Sequence, residues 1–224
     1  MPSRPDPSSG ESVLPPLRDR SAAERRLQQA DDLAQGSMPG AAVRPYREML
    51  ELEPGHVEAR LHLARLLDRL EEALEAVEVL SDGLRRSPDQ TEFLVLRGSI
   101  LGRLQRYREA ELDLRRVLRL HPSHAPAQFE LGLLLWRRGL VQEAAACFHR
   151  ALEFQPDNGR TYYYLGDALN QQGDLTGARA ALQHAIQLSP EAKTYHLMGR
   201  VLDRMNRPEE AQEMYRRGRE LARL

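Results

Sequence analysis

The chain has 224 residues, enough for a sizeable core, with 41% apolar, 29% charged and only 5% aromatic residues. That balance favours helices packed through aliphatic contacts. The formal net charge of −1 excludes an overall basic field for nucleic acid or anionic membrane, and a single cysteine excludes an intrachain disulfide.

Residues 1–20 carry Pro2, Pro5, Pro7, Pro15 and Pro16 among serines. Such a segment buries too little apolar surface to fold and is expected to be a disordered Pro/Ser-rich tail. It has no apolar h-region of a secretory signal, and no later run approaches the ~20 apolar residues of a membrane helix. With Cys147 alone, these features give an expected cytoplasmic location. Within the tail, "VLPPL" could serve as an extended ligand. Ser21 suits a helix N-cap, with Glu24 completing a capping-box pattern.

One proline then recurs every 34 residues: Pro54, Pro88, Pro122, Pro156 and Pro190. Proline ends a helix and sets the start of the next. Between prolines each unit reads as two helices. Gly98, Gly132, Gly166 and Gly199 share one place on the first helix, with Ala64 in an earlier unit. Ala42, Ala76, Ala110, Ala144, Ala178 and Ala211 share one place on the second. Small residues there allow close backbone approach. Four positions on, Tyr46, Leu80, Leu114, Phe148, Leu182 and Tyr215 are expected to fill the gap between units.

A helix–turn–helix period of this length, with these small, large and proline positions, resembles the tetratricopeptide repeat. The resemblance implies an all-α, right-handed solenoid over 21–224 with repeats at about 23–56, 57–90, 91–124, 125–158, 159–191 and 192–224. The first repeat is degenerate, keeping Leu27, Ala30 and Leu33. The last has lost one residue in its linker and has no separate capping helix. The family's usual tryptophan is replaced by Arg60, Leu94, Gln128 and Tyr162.

The resemblance also implies that first helices line a concave groove. Helical spacing then selects the candidate binding residues. Repeat two offers Leu61, Arg65, Asp68 and Arg69; repeat three, Val95, Ser99 and Arg103. Repeat four offers Phe129, Leu133, Trp136 and Arg137. Repeat five offers Arg160, Tyr163, Asp167 and Asn170; repeat six, His196, Arg200 and Arg204. An aromatic, apolar middle flanked by arginines suits a peptide or helix with apolar and acidic residues. Trp136 is the expected anchor, standing proud between the smaller Gly102 and Asn170. Arg69, Arg103, Arg137 and Arg204 form a ladder that Gln171 breaks. Each also lies in a last helical turn, where a cation meets the negative dipole end. The carboxylate-clamp subtype, built on paired asparagines and lysines, is not matched by Leu61, Arg65, Val95 and Ser99.

No catalytic constellation appears, and no cofactor, metal or small-molecule substrate is expected. His121 and His124 in "HPSH" form only a weak metal pair and read as solvated loop residues. Cys147 reads as a buried, inert thiol. Glu71, Glu72, Glu75 and Glu78 read as a solvated face. The leading expectation is therefore a non-catalytic protein–protein interaction scaffold. A structural subunit docked by its ends or convex face is the alternative. RNA binding along the arginines is disfavoured by the near-zero charge and the broken ladder.

Overall fold

The computed structural model describes residues 17–223, with side chains from Glu24 onward. Most of the expected tail, including all but the last residue of "VLPPL", lies outside the described residues. Among the described residues the regular structure is helical throughout. The chain divides into two compact units, 1–72 and 73–224. That division falls between the two helices expected for the repeat at 57–90.

The first unit holds α1 (Leu17–Gln35), a short 3-10 turn (Pro39–Ala42), α2 (Val43–Leu52) and α3 (Val57–Arg69). Helix α1 starts earlier than the sequence pattern suggests, and Ser21 lies inside it rather than at its cap. The residues ahead of Ser21, "LRDR", are compatible with helix, so the nearest real stop signal is the pair Pro15–Pro16. The second unit holds α4 (Ala73–Arg86), α5 (Thr91–Arg103), α6 (Tyr107–Leu120), α7 (Ala125–Arg137) and α8 (Val141–Phe154). It continues with α9 (Gly159–Gln172), α10 (Leu175–Leu188), α11 (Ala192–Arg204) and α12 (Pro208–Leu221). No described helix is long and apolar enough to cross a membrane.

The turn inside each repeat from the second to the sixth has one construction. Glu71, Gln105, Gly139, Gly173 and Asn206 occupy the same register, and all have positive φ, between 58° and 89°. The next residue donates its N–H back to the closing helix: Glu72 to Leu67 O, Arg106 to Leu101 O, Leu140 to Leu135 O, Asp174 to Leu169 O and Arg207 to Leu202 O. This is the Schellman closure of a helix C-terminus. Glu71 and Glu72 therefore belong to a turn, and both are exposed. Only two of the five left-handed positions hold glycine. At the others an L-residue bears the cost of that conformation.

The linker between repeats has its own construction. The residue before each proline closes the preceding helix, as when His121 N–H bonds Val117 O and Gln155 N–H bonds Ala151 O. In three of the five linkers the next helix is then capped by a side chain, whereas Gln90 at the start of α5 makes no such bond. His56 Nδ1 accepts from Ala59 N at 3.2 Å and His124 Nδ1 from Ala127 N at 3.1 Å. Asn158 Oδ1 accepts from Thr161 N at 3.0 Å. His124 is thus a helix cap rather than a solvated loop residue. Burial, then the neighbouring His121 charge, holds its pKa below the ordinary range, which suits a ring nitrogen that must accept. In the last linker, one residue shorter, Glu191 takes the cap position and makes no side-chain cap bond.

Packing follows the small and large positions closely. A Cβ on Gly98, Gly132, Gly166 or Gly199 would lie 2.9, 2.6, 2.7 or 2.5 Å from Leu114, Phe148, Leu182 or Tyr215 respectively. Each large side chain therefore fills the notch left by the glycine of its own helix pair, and Phe148 and Leu182 also reach the next repeat, at Tyr164 and in a cluster with Leu197, Met198 and Val201. The six alanines at the second-helix position, Ala42 to Ala211, are fully buried. Forcing a methyl into such a notch costs about 1–3 kcal/mol. A buried ion pair adds to the packing: Asp113 accepts from Arg97 Nε and Nη2, both at 2.8 Å, while Arg97 Nη1 reaches Ser81 Oγ at 2.9 Å. This fork ties α4, α5 and α6 together.

Candidate functional site

The first helices of the second unit, α5, α7, α9 and α11, carry most of the candidate binding residues. Their burial sorts them into two kinds. Phe129 is 7% exposed and Leu133 1% exposed, so both are core and not groove contacts. Beside Phe129 stands Tyr164, a residue the helical spacing did not select. Its ring lies 5.9 Å from Phe129, 5.6 Å edge-on to Trp136 and 6.0 Å stacked on Phe148. These rings make one inter-repeat cluster across α7, α8 and α9. Three consecutive tyrosines at 162–164 are visible in the sequence, but nothing there singles out the last one.

Trp136 does not stand proud of the face. It is half-buried, and its indole N–H donates to Asp167 Oδ2 at 2.8 Å. Gln171 Nε2 donates to the same oxygen at 2.8 Å, and Arg200 Nη2 lies 3.9 Å from Oδ1. The space beside the indole, expected to be open, is taken by Asp167 and Tyr164. Asp167 is 8% exposed, so its charge needs these donors. Tyr163 is half-buried; burial first and the Asp167 charge second raise its hydroxyl pKa.

The arginine ladder has a structural explanation at two of its rungs. Arg69 Nη2 donates to Ala34 O at 3.1 Å, near the C-terminus of α1. Arg204 donates to the carbonyl and the side-chain oxygen of Asn170, near the C-terminus of α9. Each guanidinium thus caps the first helix of the preceding repeat, not its own helix end. Asn170 is buried beneath this contact and unavailable as a groove residue. Arg137 follows the same path, its Nη1 3.3 Å from where a Cβ on Gly102 would stand.

Charge remains on this face after these contacts. Arg137 is exposed and has no hydrogen bond or ion pair among the described residues. Arg160 is exposed and lies over the Phe129 ring at 4.8 Å, without a carboxylate. Arg200 is exposed with only the distant Asp167 contact. Val95 and Ser99 are half-buried and Arg103 is exposed on α5.

Arg65 and Arg69 belong to the first unit. They border a cleft of about 330 Å³ with Asp31, Tyr46 and His62. Asp31 Oδ1 receives the Tyr46 hydroxyl at 2.6 Å and meets His62 Nδ1 at 2.8 Å. Burial and this hydrogen bond raise the Tyr46 pKa. The degenerate first repeat hides Asp31 from pattern reading, because its counterparts in the other first helices are not acidic in a constant way.

Among the described residues, no group of three or more His, Cys, Asp or Glu could hold a metal ion. Cys147 is buried, and burial raises its thiol pKa.

Family models described as tetratricopeptide repeat match residues 32–100, 95–159 and 157–223. No curated protein matches the sequence significantly. Among solved structures, MamA 41-end from Desulfovibrio magneticus RS-1 is 26% identical at a TM-score of 0.66, with 74% of this chain and 94% of that chain covered. PilW, described as a widely conserved type IV pilus biogenesis factor, is 21% identical at a TM-score of 0.78, with 86% of this chain and 90% of that chain covered. YrrB, described as a TPR protein with an unusual peptide-binding site, is 18% identical at a TM-score of 0.61, covering 79% and 91%.

Proposed function

The chain belongs to the tetratricopeptide repeat family, and from that premise we propose that the first-helix face of its second unit binds a protein segment carrying carboxylates beside an apolar side chain. Family membership supports a protein–protein interaction scaffold in general. The observation that carries the finer reading is the group of exposed, incompletely paired guanidiniums around the half-buried Trp136: Arg137, Arg160 and Arg200. An unpaired arginine fork recognises a carboxylate through two parallel N–H bonds. The exposed edge of Trp136 and the side chain of Tyr163 supply apolar area next to it.

Asp167 orients the indole and keeps Arg200 close without neutralising it fully. The face is thus preorganised, and association should be sensitive to salt. No catalytic role is assigned to any residue of this face, and the partner is a protein rather than a small molecule.

The test is affinity capture with wild type beside an Arg137→Glu/Arg160→Glu/Arg200→Glu variant, read by mass spectrometry. These changes fall on exposed side chains, and equal helicity controls for the contacts that Arg160 makes over Phe129 and Arg200 with Asp167, whereas truncating Phe129 would open the core. Partners retained by wild type and lost by the variant, at equal helicity, support the reading. An unchanged set of partners would falsify it.

A further inference from the structure

The second-helix side of the same unit carries clefts that repeat with the register. Gln128 on α7, Tyr162 on α9 and Tyr195 on α11 share one position, and each lies in the lining of such a cleft. That position is self-sufficient in other repeats. Arg60 donates to Pro54 O at 2.7 Å. Leu94 is apolar and buried. Tyr162 stacks on His184 with ring centroids 5.0 Å apart. Gln128 differs: it is 5% exposed, and its Oε1 is buried without a hydrogen-bond partner among the described residues. A buried amide oxygen left unpaired is costly. It lies in the cleft of about 710 Å³ walled by α6 and α8.

The walls state what could meet that oxygen. Arg119 on α6 and Arg150 on α8 are exposed and have no partner among the described residues. Phe154, on the α8 wall, is 49% exposed. Arg115, by contrast, is already held by Glu111 at 2.8 Å. Glu143 and Glu153 on α8 also line the cleft. They repel an acidic run, a phosphate chain or an anionic surface.

We propose that the α6–α8 cleft is a second protein-docking site, distinct from the first-helix face. It takes an extended peptide segment with one carboxylate next to an apolar side chain. On docking, the cleft-lining Gln128 side chain turns its amide oxygen to accept a backbone N–H of that segment, the carboxylate pairs with Arg119 and Arg150, and the apolar group packs on Phe154. The volume suits a few residues of extended chain.

The experiment is selection of short random peptides displayed on phage against the full chain. Binding of the recovered peptides is then measured for wild type, Gln128→Leu, Arg119→Glu/Arg150→Glu and the first-helix variant Arg137→Glu/Arg160→Glu/Arg200→Glu. Leucine is the residue at the same register in Leu94, so Gln128→Leu keeps the fold. Peptides with a single acidic residue beside an apolar one should emerge. Their affinity should fall about fivefold in Gln128→Leu, the worth of one neutral hydrogen bond. It should fall further in the double arginine variant and stay constant in the first-helix variant. Hydrogen exchange on the complex should protect α6 and α8. The proposal is overturned if every recovered peptide responds only to the first-helix variant, if none responds to Gln128→Leu, or if the cleft binds a single-stranded oligonucleotide but no peptide. Because the two faces carry separate variants, loss of this site and loss of the first-helix site read differently.

Discussion

Helix α7 presents two neighbouring stripes, and the protein treats a buried polar group oppositely on each. On the stripe that ends in Trp136, the polar group beside it is Asp167, which receives the indole N–H and the Gln171 amide and attracts Arg200. On the stripe of Leu131 and Leu135, the polar group is Gln128, whose oxygen receives no hydrogen bond among the described residues. Both groups are more than nine-tenths buried. The first is consumed in holding two repeats together. The second sits in a cleft at a position other repeats fill for themselves. A satisfied polar group stabilises and orients; an unsatisfied one is a cost that a ligand could remove.

The sharpest way to break this contrast is Asp167→Ala. It strands the Trp136 N–H and the Gln171 amide, and stability should fall by roughly 2–3 kcal/mol in urea unfolding, as for a hydrogen-bonded buried charge. A fall under half that size would mean the acceptor is not what ties the two helices. Next is Gln128→Leu, which should raise stability by about 1–2 kcal/mol, because it removes an unpaired acceptor and keeps the volume. If it destabilises instead, the oxygen is already satisfied in solution and the contrast collapses. Trp136→Phe keeps a ring against Tyr164 and deletes only the donor. A loss of about 1 kcal/mol is expected, with the near-ultraviolet dichroism of the tyrosine cluster preserved.

The smallest effect should come from pH, acting on both stripes together through the α7 cap. His124 has a lowered folded pKa, so the unfolded chain binds its proton more readily. Its contribution is full above the unfolded value, about 6.5, and is lost as pH falls through the folded value. His124→Asn should cap α7 without titrating. The thermal midpoint of wild type should therefore drop more than that of the variant between neutral and mildly acidic pH. Parallel curves would show that the ring is not the cap.

Much of the fold was legible because it rests on size. Gly132 and Phe148, or Gly199 and Tyr215, declare a notch and its filler by their spacing alone. The prolines declare the linkers in the same way. What the spacing could not supply was that the large residue fills the notch of its own helix pair as well as meeting the next repeat. The binding face was less legible because a helical stripe does not say how deep it lies. Phe129 and Leu133 share a stripe with Trp136, yet the first two are buried and the third only half-buried, with Tyr164 from the next repeat beside both aromatic members. Arg204 and Arg69 looked like surface charge. Their bonds to Asn170 and Ala34 depend on a neighbouring helix end that no local pattern announces. Gln128 was legible only as a departure from the family's tryptophan; that its oxygen lacks a partner is a fact of three dimensions.

The left-handed residue in the turns of the second to sixth repeats carries a last consequence, one of chirality. At Gln105 the backbone adopts φ of 60°, the mirror of what an L-residue prefers. The closing bond from Arg106 to Leu101 holds it there. A D-glutamine introduced at that point by peptide ligation would meet the same geometry without strain, while D-residues on either side would break the helices. In each turn the chain makes a single step of the opposite hand, and only glycine, at Gly139 and Gly173, takes it freely.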